Sequence, residues 1–411
     1  VFMLNENSGD KTCQENMGAS LLSEESRIYH ADTLYQIAEF ADKSEIKYIA
    51  ADESVTLTGY PSFADDVYYD YQWQIQACGI NTYWEHGITG EGVRVAVVDT
   101  GINIEHEDLR NSTIDAGINA CALFDEDYDR MYDTDDLDGH GTAVASIIAA
   151  STNNSLGLSG ITDKCTVVPV RIHDPSSTCS MNTSALFTAL NYVKSLDVDV
   201  VNMSVGFSGA SDEINEMFKE LIADIIDTGV IVVVSIGNNG EADNDVRAIS
   251  QCENVVTVGA VGYDDTGYYK LPKSSANNTI TVSAPGTGIY TASIINDCTY
   301  EIREGTSYAA PIVTAAAIGA KQIDPDITAS EFIELIKETS VDIDEPGYDI
   351  NTGYGMIHFG RIYNYLTGYG LQTDQEQSIV TDTIGSFFTP KTDMTGADPG
   401  ISDNSLQEPA Q

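Results

Sequence analysis

Val93-Arg-Val-Ala-Val-Val-Asp-Thr-Gly101 is a run of β-branched residues that ends on a carboxylate and a glycine. Three further runs, Val167-Val-Pro-Val170, Val198-Asp-Val-Val201 and Val230-Ile-Val-Val-Val234, have the same near-continuous apolar character. Strands that are apolar on both faces belong to parallel sheets covered on both sides. Between them, 183–194 and 214–226 carry apolar residues at helical spacing. This alternation predicts an α/β fold, a parallel sheet with helices on both faces. In such sheets function gathers at the carboxyl ends of the strands.

Outward from this body, 71–368, the composition changes. Residues 1–58 form a small acidic unit with a helix expected over 31–40 and a strand over 46–49, marginal as an independent domain. Residues 59–70 are expected as a linker. The Thr-, Asp-, Ser-, Gly- and Gln-rich run 369–411 is expected as a flexible tail or the stub of a linker. The 411 residues carry 19 Lys and Arg against 64 Asp and Glu, a formal charge of −45. Nucleic acid and anionic membrane surfaces are therefore poor partners. No apolar run approaches the ~20 residues of a membrane helix. The chain starts at Val1 with no basic stretch ahead of an apolar one, so any secretion signal has been removed or was never present. Acidity without a nucleic-acid role fits a secreted or cell-surface protein. Seven scattered cysteines include no C-x-x-C pair, which gives no zinc or redox motif.

Three segments carry chemistry. Asp99 ends a buried strand at the sheet rim, where a carboxylate needs a hydrogen-bond partner or a cation; alone it also reads as a turn-forming cap. His140, in Asp138-Gly-His-Gly-Thr142, lies between glycines that allow close approach, and imidazole suits proton transfer at neutral pH. A helix-start histidine satisfied by backbone is the plainer alternative. Ser307, in Glu304-Gly-Thr-Ser-Tyr-Ala-Ala-Pro311, opens a helix with Pro311 expected in its first turn. It reads as an N-cap, or as a hydroxyl set where free N–H groups face a developing anion. Together the three supply an activated nucleophile: Ser307 attacks a carbonyl, His140 takes its proton, and Asp99 orients the imidazole.

In these motifs, Val-Asp-Thr-Gly at 98–101, Gly-His-Gly-Thr at 139–142 and Gly-Thr-Ser-Tyr-Ala-Ala-Pro at 305–311, the chain resembles the subtilisin-like serine proteases over about 71–366. Ala143 departs from that pattern, which often has a second histidine there. The resemblance implies that Asn238, in Ser235-Ile-Gly-Asn-Asn239, donates to the oxyanion beside the Ser307 N–H. It implies that Ser204, Val205 and Gly206 pair with extended substrate, with 179–181 as the opposite edge. Arg247 then falls near the floor of the specificity pocket and favours Glu or Asp before the scissile bond. The alternatives are inward-facing Asp243 and Asp245 selecting Lys or Arg, or a broad apolar pocket. Gln72, Asp108 and Asn154 match the positions of the family's calcium site. Residues 45–52 resemble the last strand of its inhibitory propeptide, which implies a zymogen cut between Asp52 and Asp70, with Glu53 suited to an acidic preference. The implied function is a serine endopeptidase acting on proteins or peptides. The rival is a catalytically silent relative that keeps the fold as a binding surface.

Overall fold

The computed structural model describes residues 64–368 except 179, 207–210 and 241–248, and beyond them only the backbone of short strands at 2–4, 19–23, 28–31, 46–49 and 401–402. The chain divides into two compact units, Val1–Pro61 and Ser62–Gln411. In the first, four strands run antiparallel in the order 19–23, 28–31, 2–4, 46–49. The expected helix over 31–40 lies outside the described residues except for Ala31, which ends a strand.

The second unit is built on parallel strands β1 (Arg94–Asp99), β2 (Thr166–Arg171), β3 (Val200–Met203), β4 (Ile231–Ser235) and β5 (Val256–Asp264). Their order in space is β2-β1-β3-β4-β5, and Val282–Pro285 continues the parallel set beside β5. The longer helices are α1 (His140–Ala149), α2 (Thr183–Lys194), α3 (Asp212–Ile226), α4 (Thr306–Ile323), α5 (Ala329–Thr339) and α6 (Phe359–Thr367). Alternate strand residues serve different layers, as a period of two requires. Val95, Val97, Val200, Ile231 and Val233 join the core under α1, α4, α5 and α6. Ala96, Val98, Val201, Met203, Val232 and Val234 pack under α2 and α3. That two-sided burial is why the strands read as unbroken apolar runs.

Local chemistry sets the helix ends. Asn182 caps α2 by accepting from the N–H groups of Ser184 and Ala185, and α2 covers the span expected from periodicity. Ser211 caps α3, so that helix begins at Asp212, ahead of its first apolar residue. Pro311 corrects an expectation: α4 begins at Thr306, so Pro311 falls in the second turn, where its missing N–H leaves the Ser307 carbonyl without its helical donor. The Ser204 hydroxyl donates to that carbonyl instead, at 2.9 Å. Residues 64–70, expected as linker, are packed: Ala64 and Asp66 are buried, and Tyr68 stacks on Tyr290 at 5.4 Å between ring centroids.

Candidate active site

The carboxyl ends of β1, β3 and β4 share one rim, and α1 and α4 begin beside it. Strand β1 ends on Asp99. Helix α1 starts after Gly139, whose φ of 102° is open to glycine and strained for other residues. A Cβ at Gly141 would lie 2.2 Å from the Gly101 carbonyl oxygen, so only glycine lets the helix come this close to the strand end. The result is a 2.7 Å contact between His140 Nδ1 and Asp99 Oδ1. The Asp99 side chain is 1% exposed and that of His140 18%. The Thr100 N–H also donates to Asp99 Oδ1, at 2.7 Å, while Asp99 Oδ2 has no donor among the described residues. A carboxylate on Nδ1 holds the proton there and leaves Nε2 as the basic nitrogen.

Asp136, which sequence reasoning missed, fixes the start of α1. It is buried, and its Oδ1 accepts from Asp138 N, Gly139 N and the Thr100 hydroxyl at 2.9–3.0 Å. Its Oδ2 accepts from Thr142 N at 2.9 Å and Thr142 Oγ1 at 2.7 Å. Thr100 Oγ1 accepts from Gly141 N at 2.8 Å, which ties the residue after Asp99 to the residue after His140. A carboxylate three residues before a glycine-entered helix was the available signal. It was masked by the neighbouring Asp133, Asp135 and Asp138.

Ser307 lies in the first turn of α4. Its hydroxyl donates to the Ser204 carbonyl at 3.3 Å, a long contact for an O–H donor. Ser204 returns a bond from its own hydroxyl to the Ser307 carbonyl, and a buried chain supports it: Thr314 donates to Asn202 at 2.8 Å, and Asn202 to Ser204 Oγ at 3.1 Å. The His140 ring stands beside α4, 5.6 Å from the ring of Tyr308. Asn238 follows β4, and its Oδ1 accepts from Thr306 N at 2.9 Å and Thr306 Oγ1 at 3.1 Å. Two donors on the oxygen turn the Nδ2 hydrogens away from Thr306. Gly305, at φ 146°, would place a Cβ 3.3 Å from that nitrogen.

Ser204, Val205 and Gly206 continue from β3 along the rim, progressively more exposed. Of the expected opposite edge, Met181 donates its N–H to the Ile172 carbonyl at 2.9 Å, and Cys179 lies outside the described residues. Arg247, Asp243 and Asp245 also lie outside them. Asn154 Nδ2 donates to Asp108 Oδ1 at 2.9 Å, and Leu158 N to Asp108 Oδ2 at 2.8 Å. Burial pushes the Asp108 carboxyl up, against the pull of those hydrogen bonds. Gln72 pairs both ways with Ser159, its Oε1 accepting at 2.7 Å and its Nε2 donating at 2.9 Å. Asp66, also missed, accepts from Asn153 N, Asn154 N and Ser159 Oγ on the same loop.

Residues 90–355 match the model of the subtilase family. The chain belongs to that family. Curated relatives of this subtilase include minor extracellular protease Epr of Bacillus subtilis, 30% identical over 70% of the chain and 41% of Epr. Fervidolysin of Fervidobacterium pennivorans is 29% identical over 77% of the chain and 47% of fervidolysin. The major intracellular serine protease of Bacillus subtilis is 32% identical over 62% of the chain and 78% of its own length. The chain thus spans less than half the length of Epr and fervidolysin. Among solved structures, a protease from Pseudoalteromonas arctica is similar with a TM-score of 0.63 and 27% identity, over 74% of this chain and all of that one. The fervidolysin crystal structure is similar with the same score and 26% identity, over 78% of this chain and 49% of that one.

Proposed function

We propose that this subtilase is a serine endopeptidase. The observation that carries the reading is the 2.7 Å contact between buried Asp99 and His140 Nδ1, on the rim where α4 presents Ser307. In the reaction the Ser307 hydroxyl turns from the Ser204 carbonyl to His140 Nε2 and gives up its proton as its oxygen attacks the substrate carbonyl. Asp99 keeps the imidazole oriented and offsets the charge that forms on it. The Asn238 amide and the Ser307 N–H, which has no intrahelical partner in the first turn, donate to the oxyanion. Ser204 to Gly206 supply backbone groups to an extended peptide. Labelling by a fluorophosphonate tests the reading. Wild-type protein should be labelled and Ser307→Ala should not; an unlabelled wild type would favour the silent binding protein instead.

Three finer points belong to the same reading. The first unit acts as an inhibitory propeptide and chaperone, removed by a cut before the packed segment that begins at Ala64; N-terminal sequencing of active enzyme that still finds Val1 refutes this. Arg247 favours Glu or Asp before the scissile bond, and a digested peptide library without that preference, or with it intact in Arg247→Ala, removes the idea. Calcium is held by Asp108, Asn154 and Gln72. The carboxylates of buried Asp66 and Asp108 are hard oxygen ligands with no Lys or Arg ion pair among the described residues, which suits a divalent cation, and the Gln72 oxygen already accepts from Ser159 N. The Asn154 amide would have to turn its oxygen toward Asp108. Calcium there would tie residues 65–72 to the 153–159 loop, and chelation should lower the melting temperature. Export from the cell accords with the name of Epr, whereas another relative is named as intracellular, and fractionation of producing cells distinguishes the two.

A further inference from the structure

One cation at the rim takes no part in the reaction described so far. Arg303 ends the strand Thr299–Arg303, two residues before Gly305. Its Nη2 lies 3.8 Å from where a Cβ at Gly139 would stand, and Gly139 is the residue before His140. Ile294 lines the same spot, 3.1 Å from that position. The guanidinium is partly exposed, at 24%, and among the described residues contacts one carboxylate, Glu301 Oε2 at 2.7 Å; Glu301 itself is buried and accepts from the Ser293 hydroxyl. Arg303 Nε has no partner among the described residues. A guanidinium has five N–H donors, so a single carboxylate contact leaves capacity for a second acceptor.

The direction follows from the chemistry. The acyl half of a peptide lies along Ser204 to Gly206, and His140 hands its proton to the departing amine. The amine side of the cleaved bond therefore lies across the imidazole from β3, and Gly139, the residue before His140, has Ile294 and Arg303 beside it. We propose that Arg303 binds the side-chain carboxylate of an acidic residue immediately after the scissile bond. This rests on the endopeptidase reading. It concerns the opposite side of the bond from Arg247. A local cation is a discriminating device here, because a chain of charge −45 repels acidic peptides wherever their charge lies.

The test is a set of quenched fluorescent peptides identical up to the cleaved bond, with Glu, Asp, Gln or Asn after it, and a control with Glu moved three positions downstream. Wild-type protein should cleave the Glu and Asp peptides with kcat/KM ~10-fold above the Gln and Asn peptides, as a charge-assisted hydrogen bond gives. The control should show no such gain. In Arg303→Gln the ratio should fall to about one. Because that change strands buried Glu301, the double variant Glu301→Gln/Arg303→Gln is measured beside it and should give the same ratio. Glu301→Gln alone should raise the ratio, since it releases the guanidinium. A wild-type ratio near one, a ratio unmoved in both Arg303 variants, or a ratio lowered by Glu301→Gln would overturn the inference. Fluorophosphonate labelling of the same preparations separates that result from failure of the endopeptidase reading itself.

Discussion

Helices α1 and α4 both begin behind a glycine at one rim, and their first turns are treated in opposite ways. At α1 the backbone donors are consumed: Asp136 takes the N–H groups of Gly139 and Thr142, and Thr100 takes that of Gly141. At α4 no acidic residue lies in the first turn, Gly305 has no side chain to cap with, and Thr306 N is bound by the side chain of Asn238. A helix N-terminus carries a partial positive charge that a carboxylate offsets. In the proposed reaction helix α1 carries an imidazole that becomes cationic, and Asp99 and Asp136 stand beside it. Helix α4 then faces an oxygen that becomes anionic, and its first turn holds no acidic residue. Gly139 and Gly305 thus serve two opposite electrostatic ends, decided by what sits around each.

The largest effect should come from the open end. On the proposed reading Asn238→Ala removes a side-chain donor to the oxyanion, so it should lower kcat ~10²–10³-fold with little change in KM, a magnitude that comes from a member of this family. Thermal unfolding should also shift down, by about 1–2 kcal/mol of stability, because Thr306 N and Oγ1 lose their acceptor. A rise in KM at constant kcat would place Asn238 in ground-state binding and break the contrast. The closed end should respond differently. Asp136→Asn removes the charge from a buried acceptor of five hydrogen bonds and should destabilise the fold by about 3 kcal/mol. It should also lower kcat, ~10-fold, because His140 loses its fixed position against Asp99. Exposed Asp138→Asn serves as the comparison and should stay within about 0.5 kcal/mol. Equal effects of the two substitutions, read by urea unfolding, would show that the carboxylate cap matters no more than any surface acid.

How far these ends were legible follows from the residues themselves. Gly139 and Gly141 announced a close approach, and the approach is to the strand that carries Asp99. The strands were legible because burial on both faces leaves a one-dimensional signature. Asp136 was not, since it is one of four acids in 133–138 and only the fold decides which one turns inward. The bond from Ser204 to the Ser307 carbonyl was hidden for another reason. Pro311 shows that a donor is missing, but the replacement comes from 103 residues away in sequence. The packing of 64–70 was hidden likewise, because Asp65 and Asp66 look like linker acids until Ser155 and Ser159 supply their donors.

Helix α6 closes its first turn in a third way, with a neutral imidazole. His358 is half-buried, and its Nδ1 accepts from Arg361 N at 3.3 Å. Burial, with the nearby Arg361 charge, pulls the His358 pKa down from 6.5 to about 4. Between those two values the unfolded chain binds a proton that the folded chain refuses, so stability rises with pH across that window and is lost on acidification. From pH 7 to pH 5 the loss should be about 2 kcal/mol from this group. His358→Asn keeps an acceptor at the cap and removes the titration. Urea midpoints at the two pH values should therefore fall further for wild type than for the variant. Acidification also neutralises part of the chain's surplus of carboxylates, but that change is common to both proteins and drops out of the difference. Equal losses would mean that the imidazole is protonated without harm, and that α6, like α4, tolerates an open first turn.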